Sequence, residues 1–162
     1  MANATAQPAM LAGTTVLDFT QYLAGPTATR LMAELGAEVI KVEQAKGGDP
    51  SRSLPFMKDD RSIYFIQQNR GKKSLCIDFK RDEGVELIKA LIPHVDVVIE
   101  NYGPGVMERR GLDYKSLKTV NPGLVMCSIS AFGREGPLSH LTGYDYIAQG
   151  FSGIMHMTGD PD

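Results

Sequence analysis

Polar and glycine-rich segments follow several short apolar runs of the chain, and their residue types suit the binding of an anion. TQYLAGP, residues 20–26, follows the first run, and NYGPG, residues 101–105, follows a later one. Such segments present backbone N–H groups where helices begin, which favours phosphate binding. Basic side chains nearby could pair with phosphates, and aromatic side chains could flank a flat ring. The basic residues are Lys46, Lys80, Arg81 and Arg109, and the aromatic ones are Tyr22, Phe79 and Tyr102.

These residues predict a nucleotide-like ligand, although the glycines could be only turn formers and the basic side chains only solvated. G-x-G-x-x-G does not follow the first apolar run, and G-x-x-x-x-G-K-[ST] occurs nowhere in the sequence. The chain therefore lacks the fingerprints of a dinucleotide site and of a P-loop, which disfavours NAD and ATP. The basic run RGKK, residues 70–73, could either steer an anionic ligand toward the site or form a solvated turn.

Five short β-branched or apolar runs predict the strands that would position these segments. They cover residues 15–19, 38–42, 74–77, 95–100 and 124–129. The first helix should begin at Pro26, which suits an initial helical position, and end at Gly36, which suits the left-handed residue after a helix. Further helices are predicted at residues 81–93, 106–110 and 114–120, the last with Asp113 as its N-cap.

The alternation of strands and helices predicts an α/β fold with a Rossmann-like layered sheet of mainly parallel strands. Residues 1–11 are predicted to be a disordered lead, and residues 12–162 are predicted to form the Rossmann-like domain. The sequence ends on a turn-like GDPD without a closing element, so we expect a truncated chain with an uncovered sheet edge. Ligands of such sheets bind beyond the carboxyl ends of the strands, where the polar segments would meet.

Composition and charge narrow the class of protein. A formal charge of −2 with 43% hydrophobic residues describes one ordinary soluble domain and does not indicate a nucleic-acid partner. No apolar run approaches the ~18 residues of a spanning helix, and the amino terminus lacks a secretory-signal pattern, so we expect a cytoplasmic protein without a membrane partner. Cys76 and Cys127 lie in apolar runs without CxxC spacing, which favours buried free thiols over a metal or redox site.

Five separated blocks of sequence carry a resemblance to a known family. They are VLDFTQYLAGPTATRLMAELGAEVIKVEQAKGGDPSR, NRGKKSLCIDFK, DVVIENYGPGVMERRGLDY, NPGLVMCSISAFGREGP and GYDYIAQGFSG. In this order and spacing, the sequence resembles the class III coenzyme A transferases, the CaiB/BaiF family. The match runs from residue 11 to the end of the chain.

The resemblance implies an enzyme that moves CoA from an acyl-CoA to a free carboxylic acid, with CoA as a substrate and no prosthetic group. It also implies an interlinked homodimer, in which this chain would be the amino-terminal part of the large domain. In the family, an aspartate attacks the thioester, forms a mixed anhydride and then an aspartyl thioester, and passes CoA to the acceptor. A glycine-rich backbone that stabilises the oxyanion would assist this weak nucleophile.

The resemblance also implies roles for individual residues around CoA. Gln21, Leu23 and Ala24 would lie beside the thioester and pantetheine, and Thr142, Tyr144 and Asp145 belong to the segment that closes over the thioester. The adenine would be bordered by Ile77, Asp78 and Lys80, the CoA chain by Asn101, Tyr102 and Gly103, and a phosphate by Arg109. Many family members carry an arginine directed at the phosphates where this chain has Gln44, so the resemblance implies one charge contact fewer here unless Lys46 supplies it.

The family's nucleophilic aspartate would fall beyond Asp162, so no catalytic residue is assigned, and we expect this chain alone to show no turnover. Two other functions stay open. The first is an α-methylacyl-CoA racemase, which shares the fold. The racemase motif has a histidine between glycine and aspartate where this chain has Tyr144. A phenol that ionises near pH ~10 is a poor base for proton abstraction at neutral pH. A non-catalytic domain would bind CoA without turnover.

Overall fold

The computed structural model describes residues 8–160 and contains a sheet of five parallel strands with helices packed against it. In chain order the elements are β1 (Thr15–Asp18), α1 (Ala24–Glu34), β2 (Glu38–Glu43), β3 (Met57–Lys58), β4 (Arg61–Ser62), α2 (Ile63–Asn69), β5 (Lys73–Cys76), α3 (Asp82–Leu91), β6 (Val97–Glu100), α4 (Tyr114–Val120), β7 (Val125–Ser128) and α5 (Asp145–Ser152). Single 3₁₀ turns lie at Pro50–Ser53, Ile92–His94, Glu108–Arg110 and Ile154–Met157. The predicted α/β class and parallel sheet are confirmed. Between residues 8 and 160, no helix is long and apolar enough to cross a bilayer.

The strand order of the sheet is β5-β2-β1-β6-β7. The chain builds one half of the sheet outward from β1 through β2 to β5, and then returns to place β6 on the other side of β1. β1 pairs in parallel with both β2 and β6. The order therefore reverses between β1 and β6, which is the position where an open α/β sheet forms a crevice beyond the carboxyl ends of its strands.

Two apolar clusters cover the faces of the sheet. The larger contains Leu17 of β1, Ile88 of α3 and Leu117 of α4, all fully buried. The smaller contains Val16 of β1, with Met32 of α1 packed against it. Successive residues of a strand point to opposite faces, so Val16 and Leu17 reach different clusters. Both faces of the central strand are apolar because helices cover both.

Helix boundaries differ from the prediction in two respects. α1 begins at Ala24, two residues early, and the buried Pro26 lies in its first turn, where a backbone N–H would have no intrahelical partner. Gly36 follows the helix with a φ of 99°, as predicted. Asp113 caps α4 as expected, whereas the helix predicted at residues 106–110 is only a 3₁₀ turn. The prediction contained neither α2, α5 nor the short β3-β4 ribbon.

The prediction of buried thiols is wrong, because Cys76 and Cys127 are both exposed. They lie on β5 and β7, the two edge strands of the sheet. Val125 of β7 is also 59% exposed. An edge strand has a neighbouring strand on one side only, and an apolar run does not reveal whether its strand lies at the edge or in the centre.

Most of the predicted disordered lead, residues 1–7, falls outside the described residues. Leu11 lies in a turn, where its backbone N–H donates to the Leu35 carbonyl at 2.9 Å. Its side chain packs against the smaller apolar cluster. Leu11 therefore has a backbone partner at the end of α1 and apolar partners in the smaller cluster.

Candidate functional site

The turn that follows β1, residues 20–23, is tied to the loop that follows β6. We call it the β1 turn. The Gln21 N–H donates to Asn101 Oδ1 at 2.8 Å, and Asn101 Nδ2 donates to the Gln21 carbonyl at 2.8 Å. Gln21 Nε2 donates to the Tyr102 hydroxyl at 3.1 Å. The structure thus brings together three predicted site residues at the point where the strand order reverses.

The β1 turn is sharply bent and faces solvent. Tyr22 has a φ of 63°, in the left-handed region that non-glycine residues rarely adopt. Leu23 is 50% exposed, and Ala24, the first residue of α1, is also exposed. A Cβ added to Gly25 would lie 2.3 Å from the Thr20 Cβ, so glycine lets α1 start directly against the turn. The predicted thioester loop is therefore a constrained, accessible surface.

A cavity of about 270 Å³ lies next to these loops, and we call it the basic cavity. It is lined by Gln44, Phe79, Lys80, Tyr102, Val106, Arg109 and Arg110. Five of these are residues that the sequence predicts for the ligand site, whereas Val106 and Arg110 were not predicted. Three cationic side chains around one concavity are suited to phosphate groups.

Arg109 is held over the glycine loop that follows β6. Gly105 has a φ of 77°, and a Cβ added to it would lie 2.6 Å from Arg109 Nη1. The Arg109 N–H donates to the Gly105 carbonyl at 3.1 Å. Gly105 therefore serves both the loop conformation and the close approach of the guanidinium.

A larger depression of about 680 Å³ lies elsewhere, along α3. It is lined by Asp82, Glu83, Glu86 and Leu87. Three carboxylates would repel phosphate groups, so the smaller, basic cavity suits a nucleotide-like ligand better despite the difference in size.

Tyr102 connects the basic cavity to the β1 turn. Its ring packs edge-on against Phe79 at a centroid distance of 5.6 Å, and Phe79 packs in the same way against Phe19 at 5.7 Å. Burial raises the pKa of Tyr102 to about 12, although its hydrogen bonds with Gln21 and Gln44 act in the opposite direction. The phenol is therefore neutral at physiological pH. Phe79 is only 4% exposed and serves mainly the core.

The predicted adenine segment lies beside the end of β2. The Ile77 N–H donates to the Glu43 carbonyl at 3.0 Å, and the Ile77 side chain packs on the larger apolar cluster. Asp78 Oδ1 accepts the Lys80 N–H at 3.1 Å, which leaves the Lys80 side chain at the basic cavity. A Cβ on Gly84 would lie 2.2 Å from the Asp78 carbonyl oxygen, so the start of α3 packs closely on this segment.

The predicted covering segment is only partly brought to the site. A Cβ on Gly103 would lie 3.1 Å from Thr142 Cγ2, and the Tyr144 ring lies 6.2 Å from the Tyr22 ring. Asp145, the first residue of α5, accepts a hydrogen bond from Gln149 within its own helix. Thr142, Tyr144 and Asp145 are all exposed.

Three cationic residues considered in the sequence analysis have other surroundings. Lys46 is exposed and does not line the basic cavity. Arg81 forms an exposed ion pair with Glu83, with 3.4 Å between Arg81 Nε and Glu83 Oε2. The Lys72 side chain is only 1% exposed, so at this residue the RGKK run is neither a solvated turn nor an anion-steering site. Its Nζ donates to Asp18 Oδ2 at 3.0 Å and to Asn69 Oδ1 at 2.8 Å, and burial lowers its pKa to about 8.

Sequence reasoning missed a second buried ion pair beneath the β1 turn. Lys41 Nζ lies 2.8 Å from Asp49 Oδ2 and donates to the Thr20 carbonyl at 2.6 Å. One signal was available, since Lys41 stands between Ile40 and Val42 in a strand predicted to be apolar, and lysine is seldom buried without a partner.

Solved structures that resemble this chain include a CaiB/BaiF family protein from Brucella suis and Rv3272 from Mycobacterium tuberculosis. The first has a TM-score of 0.89 at 43% identity and aligns 96% of this chain with 42% of its own. The second has a TM-score of 0.86 at 37% identity and aligns 94% of this chain with 43% of its own.

Curated relatives include a succinate–glutarate CoA-transferase from Agrobacterium fabrum and a succinyl-CoA:glutarate CoA-transferase from Mus musculus. They are 45% and 46% identical, and each alignment covers 94% of this chain. The chain spans 40% and 35% of their respective lengths. A family model described as CoA-transferase family III matches residues 11–162, and the chain therefore belongs to that family.

Proposed function

We propose that the full-length protein transfers CoA from an acyl-CoA thioester to a free carboxylic acid. The observation that carries this proposal is the junction of the β1 turn with the basic cavity. Asn101 holds the Gln21 backbone, and Tyr102 contacts Gln21 on one side and the cavity on the other. An accessible turn beside a group of cations suits a molecule with a reactive end and a phosphate-bearing end. Family membership supports the type of reaction.

CoA would span the two parts of this site. Its phosphates and adenine would lie at the basic cavity, near Gln44, Lys80 and Arg109, with Ile77 and Asp78 bordering the adenine. The pantetheine would pass Asn101, Tyr102 and Gly103, and the thioester would reach Leu23 and Ala24. Thr142, Tyr144 and Asp145 would cover it. The packing of Thr142 against Gly103 and of Tyr144 near Tyr22 supports this position for the covering segment.

The proposed chemistry is a relay through an aspartate located beyond residue 162. Its carboxylate attacks the thioester carbonyl and displaces the CoA thiolate, which leaves a mixed anhydride. The thiolate attacks the aspartyl carbonyl, giving an aspartyl thioester and the first free acid. The acceptor carboxylate then attacks the aspartyl thioester and displaces the CoA thiolate, which leaves a second mixed anhydride. The thiolate attacks the acceptor's carbonyl in this anhydride, which releases the new acyl-CoA and the free aspartate. The residues of this chain bind and orient CoA, and we expect the chain alone to be inactive.

The names of the relatives suggest which substrates to test first. The Agrobacterium fabrum and Mus musculus relatives are named for succinate or succinyl-CoA and glutarate. Succinyl-CoA as donor and glutarate as acceptor are therefore the first pair. We also propose a cytoplasmic, interlinked homodimer, which sedimentation analysis and cell fractionation of the full-length protein would test.

The function can be tested by incubating the full-length protein with succinyl-CoA and glutarate and separating the CoA thioesters by chromatography. We expect glutaryl-CoA to appear as succinyl-CoA disappears. A folded protein that binds CoA but transfers it to none of a panel of mono- and dicarboxylic acids would support a non-catalytic CoA-binding domain instead. Deuterium incorporation at the α-carbon of an acyl-CoA, without any acceptor acid, would support a racemase.

A further inference from the structure

We infer that the buried ion pair of Lys41 and Asp49 positions the β1 turn for acyl transfer and does not contribute to the binding of the nucleotide end of CoA. The inference rests on the proposed function. Neither residue contacts the basic cavity, and the side chains are 2% and 1% exposed. They are positioning residues, since they act through the backbone of the turn.

The two charged groups hold the backbone on both sides of Gln21. Lys41 Nζ donates to the Thr20 carbonyl at 2.6 Å. Asp49 Oδ1 accepts the Tyr22 N–H at 3.4 Å. The peptide groups before and after Gln21 are therefore bonded to the two members of one ion pair, whose own separation is 2.8 Å.

The hydrogen bonds of Lys41 and Asp49 hold the backbone of Tyr22 in a strained conformation. Tyr22 adopts a φ of 63°, which persists in a non-glycine residue only when its surroundings hold it there. Buried ionic hydrogen bonds are stronger than exposed ones because less water competes for their donors and acceptors. Without the pair, Tyr22 would relax toward negative φ and displace Gln21 from Asn101.

The loop after β2 is built to bring Asp49 to this position. Glu43 Oε2 accepts the Asp49 N–H at 3.1 Å and Arg52 Nε at 2.7 Å. Gly48, with a φ of 68°, lies so close that an added Cβ would be 2.6 Å from Glu43 Oε2. This accounts for the sequence GGDPSR, in which glycine permits the return of the chain, aspartate reaches the β1 turn and arginine anchors the loop.

The ion pair of Lys41 and Asp49 lies beneath the thioester end of the site and away from the nucleotide end. Loss of the pair moves the residues beside the thioester but leaves Lys80, Arg109 and Arg110 at the basic cavity. Misplacement of a reacting group by about 1 Å costs roughly 100-fold in rate. The transfer rate should therefore fall while the affinity for CoA is retained.

The test uses full-length protein carrying Lys41→Met or Asp49→Asn. The control is Lys73→Met, because Lys73 forms an ion pair of similar length, 2.6 Å, with Glu38 at the exposed end of the same strand β2. We expect amide hydrogen exchange of residues 20–24 to become about 10-fold faster in both test variants. We expect kcat to fall about 10- to 100-fold while the Kd of CoA changes less than about threefold. The control variant should leave the exchange rate, kcat and the Kd of CoA unchanged.

The double variant Lys41→Met/Asp49→Asn separates positioning from stability. Removing both members leaves no unpaired buried charge, so thermal stability should recover relative to Lys41→Met. We expect kcat to stay low. Recovery of kcat together with stability, unchanged exchange of residues 20–24, or a loss of CoA affinity as large as the loss of kcat would each overturn the inference. A failure of the unmodified protein to transfer CoA would overturn only the proposed function, since the exchange measurement needs no substrate.

Discussion

Asn101 bonds to both the N–H and the carbonyl of Gln21, each at 2.8 Å, although 80 positions separate the two residues in the sequence. One side-chain amide thus replaces the backbone partners that a continuing β-strand would have supplied to Gln21. It also ties the loop after β6 to the turn after β1.

Replacing Asn101 by aspartate should reduce kcat about 10- to 100-fold, because the carboxylate can accept the Gln21 N–H but cannot donate to its carbonyl. Steady-state CoA transfer by the full-length protein measures the effect. Asn121→Asp is the matched control, since Asn121 Nδ2 donates to the Ile92 and Val95 carbonyls away from the site. An equal loss of kcat in both variants would contradict the role of Asn101.

Tyr102→Phe should weaken the binding of CoA about fivefold, because the hydroxyl also bonds to Gln44 at the basic cavity and one hydrogen bond contributes about 1 kcal/mol. The ring and its packing against Phe79 are kept, while the contacts of the hydroxyl with Gln21 and Gln44 are lost. Because the pKa of Tyr102 is about 12, the effect should be constant throughout the neutral pH range. Calorimetric titration with CoA measures it, with Tyr114→Phe on α4 as the control. A change in affinity that follows pH would indicate another titrating group.

Arg109→Gln should raise the Kd of CoA about 10-fold at low salt, and the difference from the unmodified protein should shrink as salt is added. The same change should not affect an acyl-pantetheine, which lacks the nucleotide phosphates. Arg70→Gln is the control, because Arg70 pairs with Glu34 on the surface at 2.6 Å. If Arg109→Gln weakened the binding of CoA and of acyl-pantetheine equally, the phosphates would not be its partner.

The stability of the fold should decrease in acid through Glu43. Burial opposes ionisation of this carboxyl, but hydrogen bonds from Arg52, Ser74 and the Asp49 N–H outweigh it and lower its pKa to about 2. The unfolded carboxyl, with a pKa of 4.5, binds protons more readily, so the contribution of Glu43 is complete above pH 4.5 and is lost as the pH falls through about 2. This corresponds to at most about 3 kcal/mol of unfolding free energy, because solvent around the partly exposed Arg52 weakens the pair.

Urea unfolding of the full-length protein across this acid range would measure that contribution. Glu43→Gln should reduce the pH dependence, whereas Glu38→Gln, at an exposed ion pair with Lys73, should retain it. Equal acid sensitivity of Glu43→Gln and the unmodified protein would show that other carboxyl groups dominate.

Local sequence patterns were sufficient to predict the five strands of the sheet, each within two residues of its observed ends. They also predicted Gly36 after α1 and Asp113 before α4, because caps depend on neighbouring residues. The loops that follow the strands could be listed in advance as ligand-binding positions, since parallel strands end at a common edge.

The tertiary structure decided which of those positions meet and which side chains are buried. The strand order alone places the turn with Gln21 beside Asn101. It also leaves Cys76 and Cys127 at open edges, where their apolar neighbours had predicted burial. Lys41, Asp49 and Lys72 are charged residues in the interior, and their partners lie on other elements. The free energy of a buried charge depends on partners that are distant in the sequence. The sequence by itself therefore determined the strands and helices, and only the tertiary contacts determined the buried ion pairs beneath the β1 turn.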